Sequence, residues 1–230
     1  MDGKRGGNPS PPQPPPYSAV AVGSSNPYVH FAPMPPNSSS NNNKSGVSMD
    51  TVLKVLERCG RKLEDGTRKA TGVAGNVWHH LKTSPSPCDA AMARLAQGTK
   101  VLAEGGHDKI FNQAFGTFPG EKLRKAFACY ISTTSGPVIG TLYVSTLRLA
   151  FCSDNPLNHN SSTAGPPEWV YYKEVVVQLD QLRAVNPSAN NSNPAEKYIQ
   201  IVTSDSHEFW FMGFVNYEKA LHVLSESLHR

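Results

Sequence analysis

The sequence has no long hydrophobic run, and this excludes a helix that spans a membrane. Such a helix needs about 20 consecutive, mostly apolar residues, and every apolar run here is far shorter. Residues 1–7 lead into a proline tract instead of an apolar segment, so no secretory leader is predicted. We therefore expect a cytoplasmic protein, with the membrane surface and the nucleus as alternative locations.

Cysteine is scarce, and its spacing fits no metal site. The four cysteines, Cys59, Cys88, Cys129 and Cys152, are separated by 29, 41 and 23 residues, whereas zinc sites use pairs of closely spaced ligands. In a chain without a secretory leader we expect these thiols to stay reduced. The sequence therefore predicts neither a metal centre nor a disulfide.

Catalytic motifs are absent as well. The sequence contains no Gly-x-Ser-x-Gly, no glycine-rich phosphate loop before Lys-Ser/Thr and no His-Glu-x-x-His. Asp154 and Glu168 flank a polar loop, but two carboxylates without a base partner do not make a catalytic set. We predict a protein that is not an enzyme and that uses no cofactor.

The C-terminal half lacks an excess of positive charge. The chain has 22 Lys and Arg against 18 Asp and Glu, a net charge of +4. Residues 108–230 carry ten basic and eleven acidic side chains, so the excess lies in residues 1–107. A nucleic-acid-binding domain normally has a concentrated basic surface. Direct binding to nucleic acid is therefore not expected.

The composition divides the chain into three regions, and the first is a tail of residues 1–49. Pro, Gly, Ser and Asn fill 30 of these 49 positions, which leaves too little apolar surface to offset the entropy of ordering. We predict that this tail is disordered. Within it, Pro14, Pro15 and Tyr17 fit the Pro-Pro-x-Tyr ligand of WW domains, and the alternative is a solvated spacer.

Residues 50–107 have the apolar spacing of helices and form a predicted neck. Val52, Leu56, Cys59 and Leu63 fall on one helical face. A second apolar stripe runs from residue 70 to residue 81, and a short helix is predicted from about residue 89 to residue 97, where Gly98 ends it.

Two hypotheses describe what the neck does. In the first it is an interfacial helix, with Trp78 and Leu81 in the lipid boundary and Lys82 facing head groups. In the second, which we favour, its apolar stripe packs against the following domain or against a second copy of itself.

Residues 108–230 change to the alternation of β-strands and end in one helix. After a short aromatic segment at 111–118, the apolar runs between 123 and 214 give about seven antiparallel strands. Residues 216–229 have helical spacing with Asn216 as the cap. The predicted fold is mainly β with α: a pleckstrin-homology-like barrel of about seven strands, closed by the C-terminal helix and preceded by helical segments and the disordered tail.

Several sequence words resemble a known family. Residues 127–132 (FACYIS), 136–145 (GPVIGTLYVS) and 149–154 (LAFCSD) are similar to GRAM domains, and residues 207–214 (HEFWFMGF) resemble the last strand of those domains. Residues 74–82 (AGNVWHHLK) and 193–200 (NPAEKYIQ) resemble the plant GEM-like, abscisic-acid-responsive GRAM proteins. The resemblance implies a pleckstrin-homology-like fold, a non-enzymatic role in plant hormone or developmental signalling, and binding to phosphoinositides or protein partners.

Four basic residues are the candidates for binding an anionic lipid. Lys122, Arg124 and Lys125 open the first strand of the domain, and Arg148 lies on the third. A phosphoinositide needs several converging donors, whereas the hairpin turn at 133–137 carries no basic residue. The alternative is a set of ordinary solvated charges. We favour an adaptor that binds protein partners, and a peripheral membrane protein that binds anionic lipids is the alternative.

Overall fold

The computed structural model describes residues 26–33, 77, 80–84, 86–155, 157–159 and 169–228. The candidate WW ligand (Pro14, Pro15 and Tyr17), Trp78 and most of the predicted neck helices lie outside these residues. The helices of the described part are α1 (Pro87–Glu104), α2 (His107–Phe115) and α3 (Tyr217–Ser227). Its strands are β1 (Val29–Pro33), β2 (Leu123–Thr133), β3 (Gly136–Ser145), β4 (Arg148–Ser153), β5 (Leu157–His159), β6 (Trp169–Gln178), β7 (Leu182–Ala189), β8 (Lys197–Thr203) and β9 (Glu208–Met212).

The strands form one antiparallel sheet in the order β1-β6-β4-β3-β2-β9-β8-β7, with β5 paired to part of β6. The mainly β fold with a C-terminal helix is confirmed. The sheet path is open, however, because β1 and β7 stand at its two ends. The structure therefore does not show the closed barrel that the sequence predicts. Alternation of apolar residues identifies strands and their buried faces, but closure depends on pairing between distant strands, which alternation does not encode.

The inner face of the sheet forms the main hydrophobic core. Phe127, Cys129 and Ile131 alternate along β2 and are buried there, as their spacing predicts. Helix α3 covers this face with Ala220 and Leu224. Its cap is Asn216, whose side chain accepts a hydrogen bond from the backbone N–H of Lys219 at 3.2 Å.

The outer face of the sheet is covered by the helices that precede it. Phe111 of α2 packs on Tyr143 of β3, with 5.7 Å between the ring centroids. Leu81 packs with Ala90 and Ala91 of α1 in a second apolar cluster. The described part of the neck therefore packs on the domain, and burying one leucine side chain there contributes about 1.5–3 kcal/mol.

Both helices of this layer differ from the prediction. The aromatic segment at 111–118 begins inside α2, because Ile110 and Phe111 present one buried helical face to the sheet. Helix α1 passes through Gly98 and ends at Glu104. Gly105 caps it: its φ of 86° is left-handed, and its N–H bonds the carbonyl of Val101. A glycine weakens a helix by only about 1 kcal/mol, so tertiary packing outweighs it at Gly98.

The prediction of disorder over residues 1–49 is wrong for residues 26–33. These residues form a turn and then β1, which pairs with β6 from Val29 opposite Val175 to Pro33 opposite Tyr171. The sheet edge supplies hydrogen-bond partners to this segment, and the core supplies a site for Tyr28, which is buried. Neither partner is visible from the composition of the tail.

Candidate functional site

The candidate lipid site begins where the chain enters β2. The register between β2 and β3 shifts between Leu123 and Lys125, so the intervening Arg124 lies at a bulge. Lys122 is held next to the β3–β4 turn, because its N–H and carbonyl bond Thr146. The four predicted basic residues are thus close in sequence or register. Their side chains, however, take different directions.

Arg148 is buried and occupied by partners within the protein. Its Nε and Nη2 donate to the two carboxylate oxygens of Glu121 at 3.0 and 2.9 Å, and Nη2 also donates to the carbonyl of Gly116 at 3.0 Å. The guanidinium carbon lies 4.5 Å from the centroid of the Phe118 ring. The side chains of Arg148 and Glu121 are only 5% and 2% exposed. The assignment of Arg148 to lipid binding is therefore corrected: the residue is a buried ion-pair partner.

Arg124 faces the opposite side of the sheet. Its Nη2 forms an ion pair with Glu226 of α3 at 3.0 Å, and its side chain is 21% exposed. Arg148 instead lies against the aromatic rings of α2 on the outer face. Because α2 and α3 cover opposite faces, the two guanidinium groups do not converge on one phosphate.

The exposed basic residues of the predicted set are Lys122 and Lys125. Two large apolar side chains are also exposed at this end of the sheet: Phe118 at 46% and Leu147 at 43%. Phe118 lies beside Arg148, and Leu147 follows Thr146, which bonds Lys122. This end of the domain therefore presents two ammonium groups together with two apolar side chains.

The predicted interfacial helix is placed differently by the structure. Leu81 is 5% exposed and packs against α1, so it does not face a lipid boundary. Lys82 is exposed, as the hypothesis requires, and Trp78 lies outside the described residues. The interfacial hypothesis is therefore wrong for Leu81, whereas the favoured hypothesis, in which the apolar stripe packs against the following domain, is confirmed for this residue by its contacts with α1 and β3.

A buried polar junction joins the neck to the first hairpin, and its key residue was missed. Arg94 of α1 donates from Nε to Nε2 of His80 at 2.9 Å and from Nη2 to the carbonyls of Cys129 and Gly140 at 3.1 and 2.7 Å. Its Nη1 lies 2.9 Å from the carboxylate of Asp154. One arginine thus connects α1, β2, β3 and the end of β4. The only signal available was a single Arg within the apolar stretch at residues 90–96 (AAMARLA).

The electrostatics of this junction keep the His80 ring neutral. Burial, aided by the Arg94 guanidinium, lowers the pKa of His80 to about 4. The neutral ring accepts from Arg94 and donates from Nδ1 to the carbonyl of Gly213. Burial raises the pKa of Asp154, and Arg94 opposes that shift. The junction therefore links α1 to the strands of the first hairpin.

The aromatic run near the C-terminus is core. Phe209, Trp210, Phe211 and Phe214 are all buried. Trp210 donates from Nε1 to Glu208 at 3.3 Å, so its polar atom has a partner.

Tyr28 is a second residue that sequence reasoning missed. Its hydroxyl donates to Asp205 in the β8–β9 turn at 3.0 Å, and its ring contacts Phe209 edge-on with 6.0 Å between centroids. The side chain is 4% exposed. A turn-forming Asn26-Pro27 followed by the β-formers of residues 28–31 was the available signal. The surrounding proline-rich composition obscured it.

Other chemistries find no support among the residues that the structure describes. No cluster of three or more His, Cys, Asp or Glu is arranged to hold a metal there. Cys129 and Cys152 are unpaired, and burial raises the pKa of the Cys152 thiol to about 12, so it is a poor nucleophile. Within the same residues, no helix is long and apolar enough to span a bilayer.

Comparison with known proteins identifies the family. Residues 109–230 match the GRAM domain. GEM-like protein 1 of Arabidopsis thaliana is 50% identical over 223 residues, which are 96% of this chain and 81% of the relative. Putative GEM-like protein 3 of the same plant is 47% identical over 211 residues, covering 92% of this chain and 77% of that protein.

Two further similarities complete the comparison. GEM-like protein 5 of Arabidopsis thaliana is 45% identical over 202 residues, covering 88% of this chain and 69% of that protein. The crystal structure of the C-terminal domain of an unknown protein from Leishmania infantum is similar at a TM-score of 0.41 and 18% identity, covering 53% of this chain and 96% of that chain. From the domain match and the plant relatives, the chain belongs to the GEM-like family of plant GRAM-domain proteins.

Proposed function

We propose that this chain is a non-enzymatic adaptor whose GRAM domain binds protein partners in plant hormone or developmental signalling. One observation carries the choice of protein over lipid. Arg148 and Arg124 are both bound to carboxylates of the chain itself, on opposite faces of the sheet. A phosphoinositide site requires converging donors that are free to bind phosphate. Two of the four predicted donors do not meet that requirement.

An exposed apolar pair on α1 gives a protein partner a place to dock. Leu95 and Leu102 are seven residues apart, hence on one face of the helix, and they are 45% and 85% exposed. Spacing of this kind is what a partner groove recognises in an amphipathic helix. Large apolar side chains exposed together on a surface are typical of interaction sites.

The test compares protein capture with lipid pelleting, both on the full chain. Immobilised chain is incubated with plant extract, and bound proteins are compared between the wild type and a Leu95→Ser/Leu102→Ser variant. The matched control is Ala96→Ser, an exposed apolar-to-serine change on the same helix. We expect the control to capture the same partners as the wild type and the double variant to lose them. Capture of no specific protein by the wild type would contradict the adaptor.

A second candidate function, binding to an anionic membrane, is favoured by one specific observation. Lys122 and Lys125 are exposed at the end of the sheet where Phe118 and Leu147 are also exposed. Each lysine next to an anionic surface contributes about 1 kcal/mol to membrane binding. The two apolar side chains would insert into the lipid boundary and strengthen that binding.

Pelleting with phosphatidylcholine vesicles, with and without added phosphoinositide, separates the two functions. The adaptor predicts no phosphoinositide-dependent pelleting. The membrane function predicts pelleting that Lys122→Glu/Lys125→Glu abolishes. The control Lys109→Glu/Lys219→Glu reverses the same number of exposed charges elsewhere and would leave pelleting intact.

A further inference from the structure

The edge of the sheet at β6 is occupied by a segment from far away in the chain. Strand β1 lies antiparallel to residues 171–175 and stands at the end of the sheet. The GRAM domain match covers residues 109–230, so β1 is added to the domain from outside it. The contact between Tyr28 and Asp205 spans 177 positions of sequence.

The segment is held the way an extended peptide is held by a sheet edge. Its backbone supplies ladder bonds, among them the carbonyl of Tyr28, which accepts from the N–H of Val176 at 2.9 Å. The side chain of Tyr28 enters the core and that of Val29 packs against it, whereas the neighbouring Pro27 and His30 are exposed. In peptide recognition by strand addition, main-chain bonds give affinity and a pocket for a particular side chain gives specificity.

The pocket around Tyr28 has partners for the tyrosine hydroxyl as well as for the apolar ring. Besides the edge contact with Phe209, the ring meets His207 edge-on with 5.5 Å between centroids. The hydroxyl finds an acceptor in Asp205. The entry to the strand is also specified, because the Asn26 side chain accepts from the N–H of Tyr28 at 3.0 Å. An aspartate acceptor, two aromatic walls and an Asn-Pro turn define a recognisable ligand.

We propose that the β6 edge and the Tyr28 pocket form a docking site for an extended Asn-Pro-Tyr-containing segment of a partner protein, and that residues 26–33 occupy this site in cis. A partner binds by displacing β1 and pairing with β6 in its place. This rests on the proposed function, since it assigns the adaptor one of its binding surfaces and the chemistry of its partner. The chain's own segment then acts as a built-in competitor.

Competition sets the size of the expected effect. A segment on the same chain competes at an effective concentration on the order of millimolar. A free peptide with a Kd of about 100 µM for the open edge would therefore bind the wild type roughly tenfold more weakly than it binds the open edge.

The variant that opens the edge is His30→Pro. Hydrogen-bonded pairs alternate along an antiparallel ladder, and because Tyr28 bonds Val176, the next such pair is His30 opposite Glu174. Proline removes the backbone donor, while the exposed His30 side chain leaves no cavity when it is replaced. The matched control His30→Ala keeps the donor. Tyr28→Phe, which removes a single oxygen atom, is the second, milder opening variant.

The experiment measures binding of a fluorescent peptide of residues 24–33 to the full chain by anisotropy. We expect His30→Pro to bind up to about tenfold more tightly than the wild type, Tyr28→Phe to bind moderately more tightly, and His30→Ala to match the wild type. A peptide carrying Tyr28→Ala should lose binding. In hydrogen exchange, the amide of Val176 should lose protection in His30→Pro and regain it with the peptide.

Several outcomes overturn the proposal. Equal peptide affinity for wild type, Tyr28→Phe and His30→Pro would show that β1 does not compete, and equal binding of the Tyr28→Ala peptide would show that the pocket does not select tyrosine. Concentration-dependent dimers of His30→Pro without peptide would assign the edge to a second copy. Partners captured equally by wild type and His30→Pro would leave the adaptor intact and remove this site. Tighter peptide binding by His30→Pro, together with capture of no protein from the extract, would support this docking site and contradict the adaptor function.

Discussion

Replacing Arg148 with methionine tests whether this arginine is structural or a lipid ligand. Methionine keeps a long apolar side chain against the α2 rings but removes the donors to Glu121 and Gly116. The carboxylate of Glu121, 2% exposed, would then be buried with the Ser145 hydroxyl as its remaining hydrogen-bond donor among the contacts described. Breaking a buried ion pair by removing one partner costs about 3–5 kcal/mol.

The assays are urea unfolding and thermal unfolding of the full chain, each followed by tryptophan fluorescence and by circular dichroism. A loss of about 4 kcal/mol corresponds to a fall in Tm of roughly 8–16 °C for a domain of this size. The matched control is Lys122→Met, a basic-to-methionine change at an exposed position, which should stay within about 0.5 kcal/mol of the wild type.

A double variant isolates the ion pair from the loss of packing. With Glu121→Leu added to Arg148→Met, no charge is left buried, so we expect the double variant to recover at least about 1 kcal/mol of the single loss. A loss below about 1 kcal/mol in Arg148→Met, combined with reduced vesicle pelleting of the folded protein, would refute the structural role and return Arg148 to the lipid site.

Two further predictions concern the junction between neck and hairpin. Gly140→Ala places a Cβ 2.3 Å from Cζ of Phe151 and 2.4 Å from the carbonyl of Cys152, so we expect a loss of about 1–3 kcal/mol or more in urea unfolding; an unchanged midpoint would contradict this close approach. Burial lowers the pKa of His80 to about 4, so its contribution is complete above about pH 6.5 and is lost as the pH falls towards 4. Burial raises the pKa of Glu174 to about 7, so its contribution changes in the opposite direction over the same window. The difference in stability between wild type and His80→Gln should therefore shrink by about 2 kcal/mol from pH 7 to pH 5; a difference independent of pH would contradict the buried neutral ring.

The elements that the sequence predicted well are those whose signal is local. Alternation located β2, β3 and β4. Asn216 marked the start of α3, because a capping side chain bonds a neighbour three residues away. Family membership followed from unbroken words in the strands, which the domain match and the plant relatives confirm.

The features that the sequence did not predict depend on partners distant in the chain. Arg148 carries the charge that a lipid ligand needs. Only its position next to Glu121 and the α2 rings makes it one partner of a buried ion pair. For Leu81 the sequence favours packing over a lipid interface, but it does not identify Ala90 and Ala91 of α1 as the packing partners. Charge and periodicity specify which interactions a side chain can make, but they do not identify the group that contacts it in the folded protein.

The sequence by itself determined that the chain has a β-rich domain ending in a helix, belongs to one plant family and carries a nearly neutral core region. Only the tertiary structure decided that the sheet stays open, that the basic residues fall on opposite faces and that residues 26–33 leave the proline-rich tail to become an edge strand. The physical reason is the same in each case. Strands and caps are stabilised by neighbours along the chain, whereas pairing at a sheet edge and burial of Tyr28 are stabilised by groups that only folding brings together.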